Sequence, residues 1–503
     1  MRALGAGFQV YGWAPSTAEL AARAGLDPVE ILRFDGNVPP LPLPASRPAA
    51  IASELARVNE YPHGGYPRIH EAIAEYSGVA PENVVLGAGA DDLIMLVARA
   101  YAGAGDTVSV PQAPTYPLFR IAAQLAGAGV GDDDPVLTFA CRPGNPTGAL
   151  DPLPDARPLA VDEAYFEYAE DPGAVGLIGD DVVVIRTFSK MFALAGARIG
   201  YALASREVAA ELNARQSPAP VSTLSVALAL AALAAPPDVA PVIEERERLA
   251  RELRALGHAP VPSRANFVYM PVDDPRAVSE TLLAAGCVVR TFASGIRVSV
   301  RDREDDDVLL AALAGESKSA GRRARRMRAT TETVVRVRLG LDGASRVRVG
   351  TGAGLYDHFL EQLAFHAGLD LVLEGSGDLE TGDHHTAEDA AIALGQAFDV
   401  ALGDRKGIAR YGDATVVMDD ARASAAVDLG GRRHTSIAIA PDPGLGKHVL
   451  ASFADNARIA LHVESSGEDA HHVAEAAYKA TGRALRAAVR SESDVLPSTK
   501  GVM

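Results

Sequence analysis

Residues 181–204 read DVVVIRTFSKMFALAGARIGYALA, an apolar run followed by a polar loop that carries Thr187, Ser189, Lys190 and Arg198. Three other stretches repeat the plan: NVVLGAG (83–89), DTVSVP (106–111) and PLAVDEAY (158–165). Each is a short buried strand that ends in a loop with polar residues, and alanine-rich helical sequence lies between them. That alternation predicts a doubly wound α/β fold, its large sheet mostly parallel and its site at the carboxyl ends of the strands.

A lysine beside a buried strand is ordinarily a snorkelling surface residue. Lys190, however, is accompanied by the hydroxyls of Thr187 and Ser189 and by the cation of Arg198, groups suited to a phosphate. Asp162 ends another strand, and Asn145 lies in the turn RPGNPTG (142–148). Lysine, carboxylate and phosphate cradle together suit pyridoxal phosphate. Lys190 would form the Schiff base, and Asp162 would keep the pyridine nitrogen protonated so that the ring accepts electrons.

The motifs YPHGGYPRIHEAIAEYSGV, LGAGADDLI, PTYPLF, RPGNPTG, VDEAYFEY, TFSKMFALAGARIGY, SRANFVYM and GIRVSV occur in that order. Through them residues 8 to about 312 resemble the fold-type I enzyme histidinol-phosphate aminotransferase, which has a small C-terminal lobe beside its large sheet. The resemblance implies that Tyr116 stacks on the cofactor and that Asn145 and Tyr165 contact its phenolic oxygen. It implies that Ala90, Asp91, Ser189 and Arg198 hold the phosphate, with Tyr61 reaching a partner subunit's cofactor in a dimer. Arg297 would bind the substrate carboxylate, with Arg290, Tyr11 and Asn37 as further substrate contacts. The chain departs from the family at Gly144, where asparagine is usual, and in short segments at 129–135 and 150–160. Two other readings of this half are a threonine-phosphate decarboxylase relative and a non-catalytic dimerisation lobe.

From Ala314 the sequence AGESKSAGRRARRMRATTET is small and polar, then basic, without hydrophobic periodicity. It reads as a linker over 316–327 between domains at 1–315 and 328–503. Nine of the 12 histidines follow it, from His358 onward, so the two halves carry different chemistry. HHTAEDAAIALGQAFDVALG (from His384) and HHVAEAAYKATGRALRAAVR (from His471) share nine identities over 20 positions, an internal duplication. Residues i and i+4 share a helix face, which pairs His384 with Glu388 and His471 with Glu475. His385 and His472 point about 100° away, each toward a different ion. His358 and His462 add imidazoles.

RATTET, LDGASRVRVGTGAGLYDHFLEQLAFH, GDHHTAEDAAIALGQAF, GIARYG, VVMDD, VDLGGR, LHVESSGEDAHHVAEAAYKATGRAL and LPSTKGVM make residues 328–503 resemble imidazoleglycerol-phosphate dehydratase, a duplicated α+β domain. The resemblance implies two manganese ions per chain. Combined with the helix geometry, it assigns His384, Glu388, His462 and His472 to one ion and His358, His385, His471 and Glu475 to the other. Either Glu388 or Glu475 would carry the proton. Glu332, Gln362, His366, Asp419 and Lys479 would lie near substrate, and Arg410, Arg432, Ser498 and Lys500 would clamp its phosphate. Departures are Asp420 for glutamate, Gly382 for aspartate, Asp469 for asparagine and a shortened 434–448. His448 aligns with His358 in the duplication but reads as a surface residue.

The two resemblances name successive steps of histidine biosynthesis, the product of the dehydratase being the keto acceptor of the aminotransferase, with glutamate as donor. They imply a homo-oligomer, a 24-subunit shell with paired aminotransferase lobes. The chain has 503 residues and a net charge of −17, which argues against coating nucleic acid. Its longest apolar run, VALALAALAA from Val226, is about half a membrane span, and a cytoplasmic location is expected. Two cysteines cannot build a disulfide framework.

Overall fold

The computed structural model describes residues 14–26, 28–38, 51, 54–62, 64–179, 181–316, 322–343, 345–492, 495 and 497. The chain divides into two compact units, Met1–Ser317 and Lys318–Met503. Among the described residues no helix is long and apolar enough to cross a membrane.

In the first unit the strands are β1 (Val84–Gly87), β2 (Thr107–Ser109), β3 (Gly129–Val130), β4 (Leu137–Cys141), β5 (Leu159–Asp162), β6 (Val182–Thr187) and β7 (Gly200–Leu203). They form one sheet in the order β1-β7-β6-β5-β4-β2-β3, and only β7 runs antiparallel to its neighbours. β5 and β6 are buried at every position, because helices cover both faces and leave no polar side for alternation. Helix α1 (Ala90–Tyr101) follows β1 through Gly89. A smaller antiparallel sheet holds β8 (Phe267–Pro271), β9 (Arg290–Phe292) and β10 (Gly295–Ser299) in the order β9-β10-β8.

The second unit is built twice. One sheet orders β11 (Arg323–Ala329), β12 (Thr333–Gly340), β14 (Asp370–Gly377) and β13 (Val347–Gly350). The other orders β15 (Tyr411–Met418), β16 (Ala421–Asp428), β18 (Ala460–Ser466) and β17 (His434–Ala440), with the same connectivity. Buried and exposed residues alternate along β12, as its sequence predicts. Four helices pack on these sheets: α2 (Gly354–Ala367), α3 (His384–Leu402), α4 (Gly446–Asn456) and α5 (Ala470–Ala488). α5 packs on α2 and α3 on α4.

The duplicated glycine explains how closely they approach. Glycine inside a helix costs about 1 kcal/mol relative to alanine. A Cβ at Gly482 would meet Leu363 O at 2.5 Å, and one at Gly395 would meet Phe453 O and Ala457 N. Only a missing side chain lets each helix lie against its neighbour's backbone.

The expected linker at 316–327 is too long. Arg323–Met327 belong to β11 and pair with Gly340–Arg336 of β12. β11 is the edge strand of its sheet, where charged side chains guard open backbone groups, so its arginines imitate a solvated connector.

Candidate functional sites

β5 and β6 end side by side, so Asp162 and the Thr187–Lys190 loop share one end of the first sheet. Asp162 is buried and its Oδ1 accepts from Ala164 N at 3.0 Å; burial pushes its carboxyl up to about 7. Burial, then the charge of Arg297, pulls the Lys190 ammonium down to about 8. Thr187 Oγ1 lies 2.9 Å from Ser189 Oγ and accepts from Ser189 N at 3.1 Å. Beside them Arg198 donates to Ala88 O at 3.3 Å and to Asp91 Oδ2 at 3.2 Å, at the N-terminus of α1.

Two glycines keep this corner open. A Cβ at Gly89 (φ 89°) would stand 2.7 Å from the Arg198 guanidinium, and one at Gly200 would stand 3.0 Å from Ala90 N. Helix-terminal amides, hydroxyls and an arginine fit a phosphate, and a buried lysine and carboxylate fit the ring of pyridoxal phosphate.

The remaining expected residues gather around this point. Tyr116 donates to Asp91 Oδ1 at 2.9 Å. Arg297 donates to Asn145 Oδ1 at 2.6 Å and to Asp35 O at 2.8 Å. Asn37, buried at φ 49°, donates to Tyr165 Oη at 3.0 Å and accepts from Ser299 Oγ at 2.8 Å. Asn266 and Ser299, which sequence reading missed, hold Asn37 from behind. For Ser299 the signal was period two along a strand, which puts it on the face of Arg297. Arg290 stands opposite Arg297 in the β9–β10 register. Tyr61 is 82% exposed, and Tyr11 lies outside the described residues.

In the second unit His358, His471 and Glu475 bring their ligand atoms within 4.8 Å of one another, and so do His384, Glu388 and His448. These are the same site built twice, each histidine–glutamate helix receiving one imidazole from its neighbour. Glu475 Oε2 is 3.1 Å from His471 Nε2 and 3.4 Å from His358 Nε2, while its Oε1 pairs with Lys479 Nζ at 2.8 Å. Burial opposes the charge of Glu475, but Lys479 and His358 outweigh it and hold the carboxyl below its ordinary range. The imidazole–carboxylate donor set fits a divalent transition metal.

His385 and His472 stand apart from these clusters. His385 Nδ1 meets Asp378 Oδ2 at 3.0 Å, and His472 Nδ1 meets Asp420 Oδ1 at 2.6 Å. Asp420 Oδ2 is itself held by the amides of Glu468 and Asp469 at 2.5 and 2.9 Å. A carboxylate on Nδ1 leaves Nε2 of each ring for a metal.

One assignment is corrected. His462 lies on β18 between buried Leu461 and Val463, so strand alternation turns it to the face away from the helices, beside His434 at 5.2 Å. His448, read as a surface residue, takes the place expected of His462: its Nε2 is 3.2 Å from Glu388 Oε1.

Of the expected substrate residues, Glu332 Oε2 is 3.8 Å from His385, and Asp419 Oδ2 is 3.7 Å from His472. Gln362 and His366 are half-buried on α2, where burial, Lys479 and Arg483 lower the imidazole pKa of His366. Arg410 is engaged by both oxygens of Asp428 and by Pro497 O, and Arg432 is exposed. Ser498 and Lys500 lie outside the described residues.

Residues 29–132 and 131–313 match the family aminotransferase class I and II, and residues 351–485 match imidazoleglycerol-phosphate dehydratase. The chain is 47% identical over 201 residues to the imidazoleglycerol-phosphate dehydratase of Salinispora arenicola (strain CNS-205), covering 36% of this chain and 99% of that one. The chain belongs to both families. Its dehydratase unit is also 47% identical to the imidazoleglycerol-phosphate dehydratase of Mycolicibacterium smegmatis over 205 residues, 37% of this chain and 100% of that one. Its aminotransferase unit is similar to the histidinol-phosphate aminotransferase of Sinorhizobium meliloti, solved with pyridoxal-5'-phosphate. There the TM-score is 0.54 and the identity 26%, over 60% of this chain and 94% of that one.

Proposed function

We propose that the dehydratase unit removes water from imidazoleglycerol phosphate and that the aminotransferase unit converts the resulting imidazole-acetol phosphate, with glutamate, to histidinol phosphate. The observation that carries this reading is the presence, in one chain, of a lysine–aspartate–phosphate corner and a twice-built histidine–glutamate cluster.

Pyridoxal phosphate, when bound, supplies the electron sink for transamination. Lys190, Asp162 and the Ala90, Asp91, Ser189 and Arg198 corner would hold it. Lys190, whose ammonium burial and Arg297 hold below its ordinary range, is suited to moving the proton at the substrate α-carbon. Arg297, anchored by Asn145 and Asp35, is suited to the substrate carboxylate.

Two manganese ions would supply charge stabilisation for the imidazole ring of the dehydratase substrate. His358, His471 and Glu475 would hold one, and His384, Glu388 and His448 the other. His385 and His472, outside both clusters and fixed by Asp378 and Asp420, would each complete a site in another copy of the chain. That reciprocity supports a closed shell of 24 subunits, with aminotransferase lobes paired about two-fold axes through Tyr61.

A coupled assay tests the reading: purified protein, imidazoleglycerol phosphate, glutamate, manganese and pyridoxal phosphate yield histidinol phosphate. Accumulation of imidazole-acetol phosphate alone would remove the second half of the proposal.

A further inference from the structure

Strand alternation sorts the residues at the ends of β5 and β6 onto two faces. Leu159 and Val161 pack with Val182 and Val184 on one face; Ala160 packs with Val183 and Ile185 on the other. Asp162 and Thr187 continue the second series, toward the cofactor corner. Glu163 and Arg186 continue the first and meet on the opposite side of the sheet, 1% and 2% exposed.

Their contact is fully built. Glu163 Oε2 accepts from Arg186 Nε at 3.0 Å and from its terminal nitrogen at 2.9 Å. Glu163 Oε1 accepts from Ala174 N at 2.6 Å. Gly173, at φ 70°, lets that loop close: a Cβ there would stand 2.8 Å from the carboxylate. The Arg186 guanidinium lies 3.6 Å from the centre of the Phe166 ring.

A buried ion pair gains little over apolar residues of the same volume, because desolvating two charges offsets their attraction. What such a pair does supply is direction. Glu163 follows Asp162 directly, and Arg186 precedes Thr187 and stands four residues before Lys190. Resting on the aminotransferase reading above, we propose that the Glu163–Arg186 pair is a positioning device: it locks the two strand ends together and so sets the placement of Asp162 relative to Lys190. Neither residue touches the cofactor corner, so the effect on placement passes through the backbone, beside the direct repulsion of the Asp162 carboxylate by Glu163.

The test uses the full chain with Glu163→Leu and Arg186→Leu combined, which removes both charges of the pair together. Pyridoxal phosphate is titrated by visible absorbance, and the pH midpoint of that absorbance band is measured. The double variant should keep its circular dichroism and dehydratase activity, bind pyridoxal phosphate roughly tenfold more weakly and shift the midpoint by about one unit. A folded double variant with wild-type affinity and midpoint would overturn the proposal. If the double variant does not fold, Arg186→Lys, which keeps the charge and loses the fork, is held to the same two readouts. A wild-type chain that develops no visible band with pyridoxal phosphate would instead overturn the aminotransferase reading itself.

Discussion

His448 Nε2 stands 3.2 Å from Glu388 Oε1, and its ring stacks on His384 with centroids 5.0 Å apart. The counterpart in the other half of the duplication is His358, 3.4 Å from Glu475 and stacked on His471 at 5.6 Å. The two halves therefore place one imidazole each by the same helix contact, at Gly395 and at Gly482. His448→Ala should cost one of two bound metal ions per chain, as should His384→Ala combined with Glu388→Ala, and both should stop dehydration. His462→Ala should retain both ions. Elemental analysis of the purified variants decides it; metal loss in His462→Ala with none in His448→Ala would reverse the assignment.

Asp420 fixes the ring of His472 at 2.6 Å and is itself fixed by two backbone amides. Asp420→Asn should weaken metal binding by about 10- to 100-fold, the usual effect of removing a carboxylate behind a metal-bound imidazole. Competition with a chelator measures it. Unchanged affinity would mean that this carboxylate does not orient a ligand.

Lys190 makes the cofactor-free protein less stable at neutral pH. Its ammonium is lowered to about 8 when folded, against 10.5 when unfolded. Below pH 8 both states carry the charge and the folded state bears the full burial cost. Between about 8 and 10.5 the unfolded chain binds the extra proton, so stability rises with pH, by about 3 kcal/mol in total. Cofactor-free Lys190→Met should therefore unfold at higher denaturant than wild type at pH 7, with the gap closing toward pH 10.5. In the loaded protein Lys190→Ala should abolish transamination and leave dehydration intact. Parallel loss of both activities would show that the two units are not independent.

The proposed completion of metal sites by His385 and His472 of other copies predicts that assembly depends on metal. Sedimentation in saturating manganese should give a very large particle, and a chelator should break it into smaller species. A particle that remains a dimer in manganese would remove the shell and leave both chemistries in place.

Much of this protein was legible in its sequence because it is encoded by local periodicity. Unbroken apolar runs before polar loops announced β5 and β6, and i, i+4 spacing announced that His384 pairs with Glu388 and His471 with Glu475. The duplication was visible as repeated letters. Three features were decided only by tertiary structure. Arg323–Met327 read as a connector because an edge strand with arginines on both faces carries no apolar alternation. His448, not His462, lies beside His384 and Glu388, because which face of a strand or helix meets a neighbouring helix depends on packing across 60 or more residues, not on spacing within one element. The Glu163–Arg186 pair was invisible because nothing local says that two charges, 23 residues apart on adjacent strands, are both dry; only the helices that bury that face of the sheet make them so.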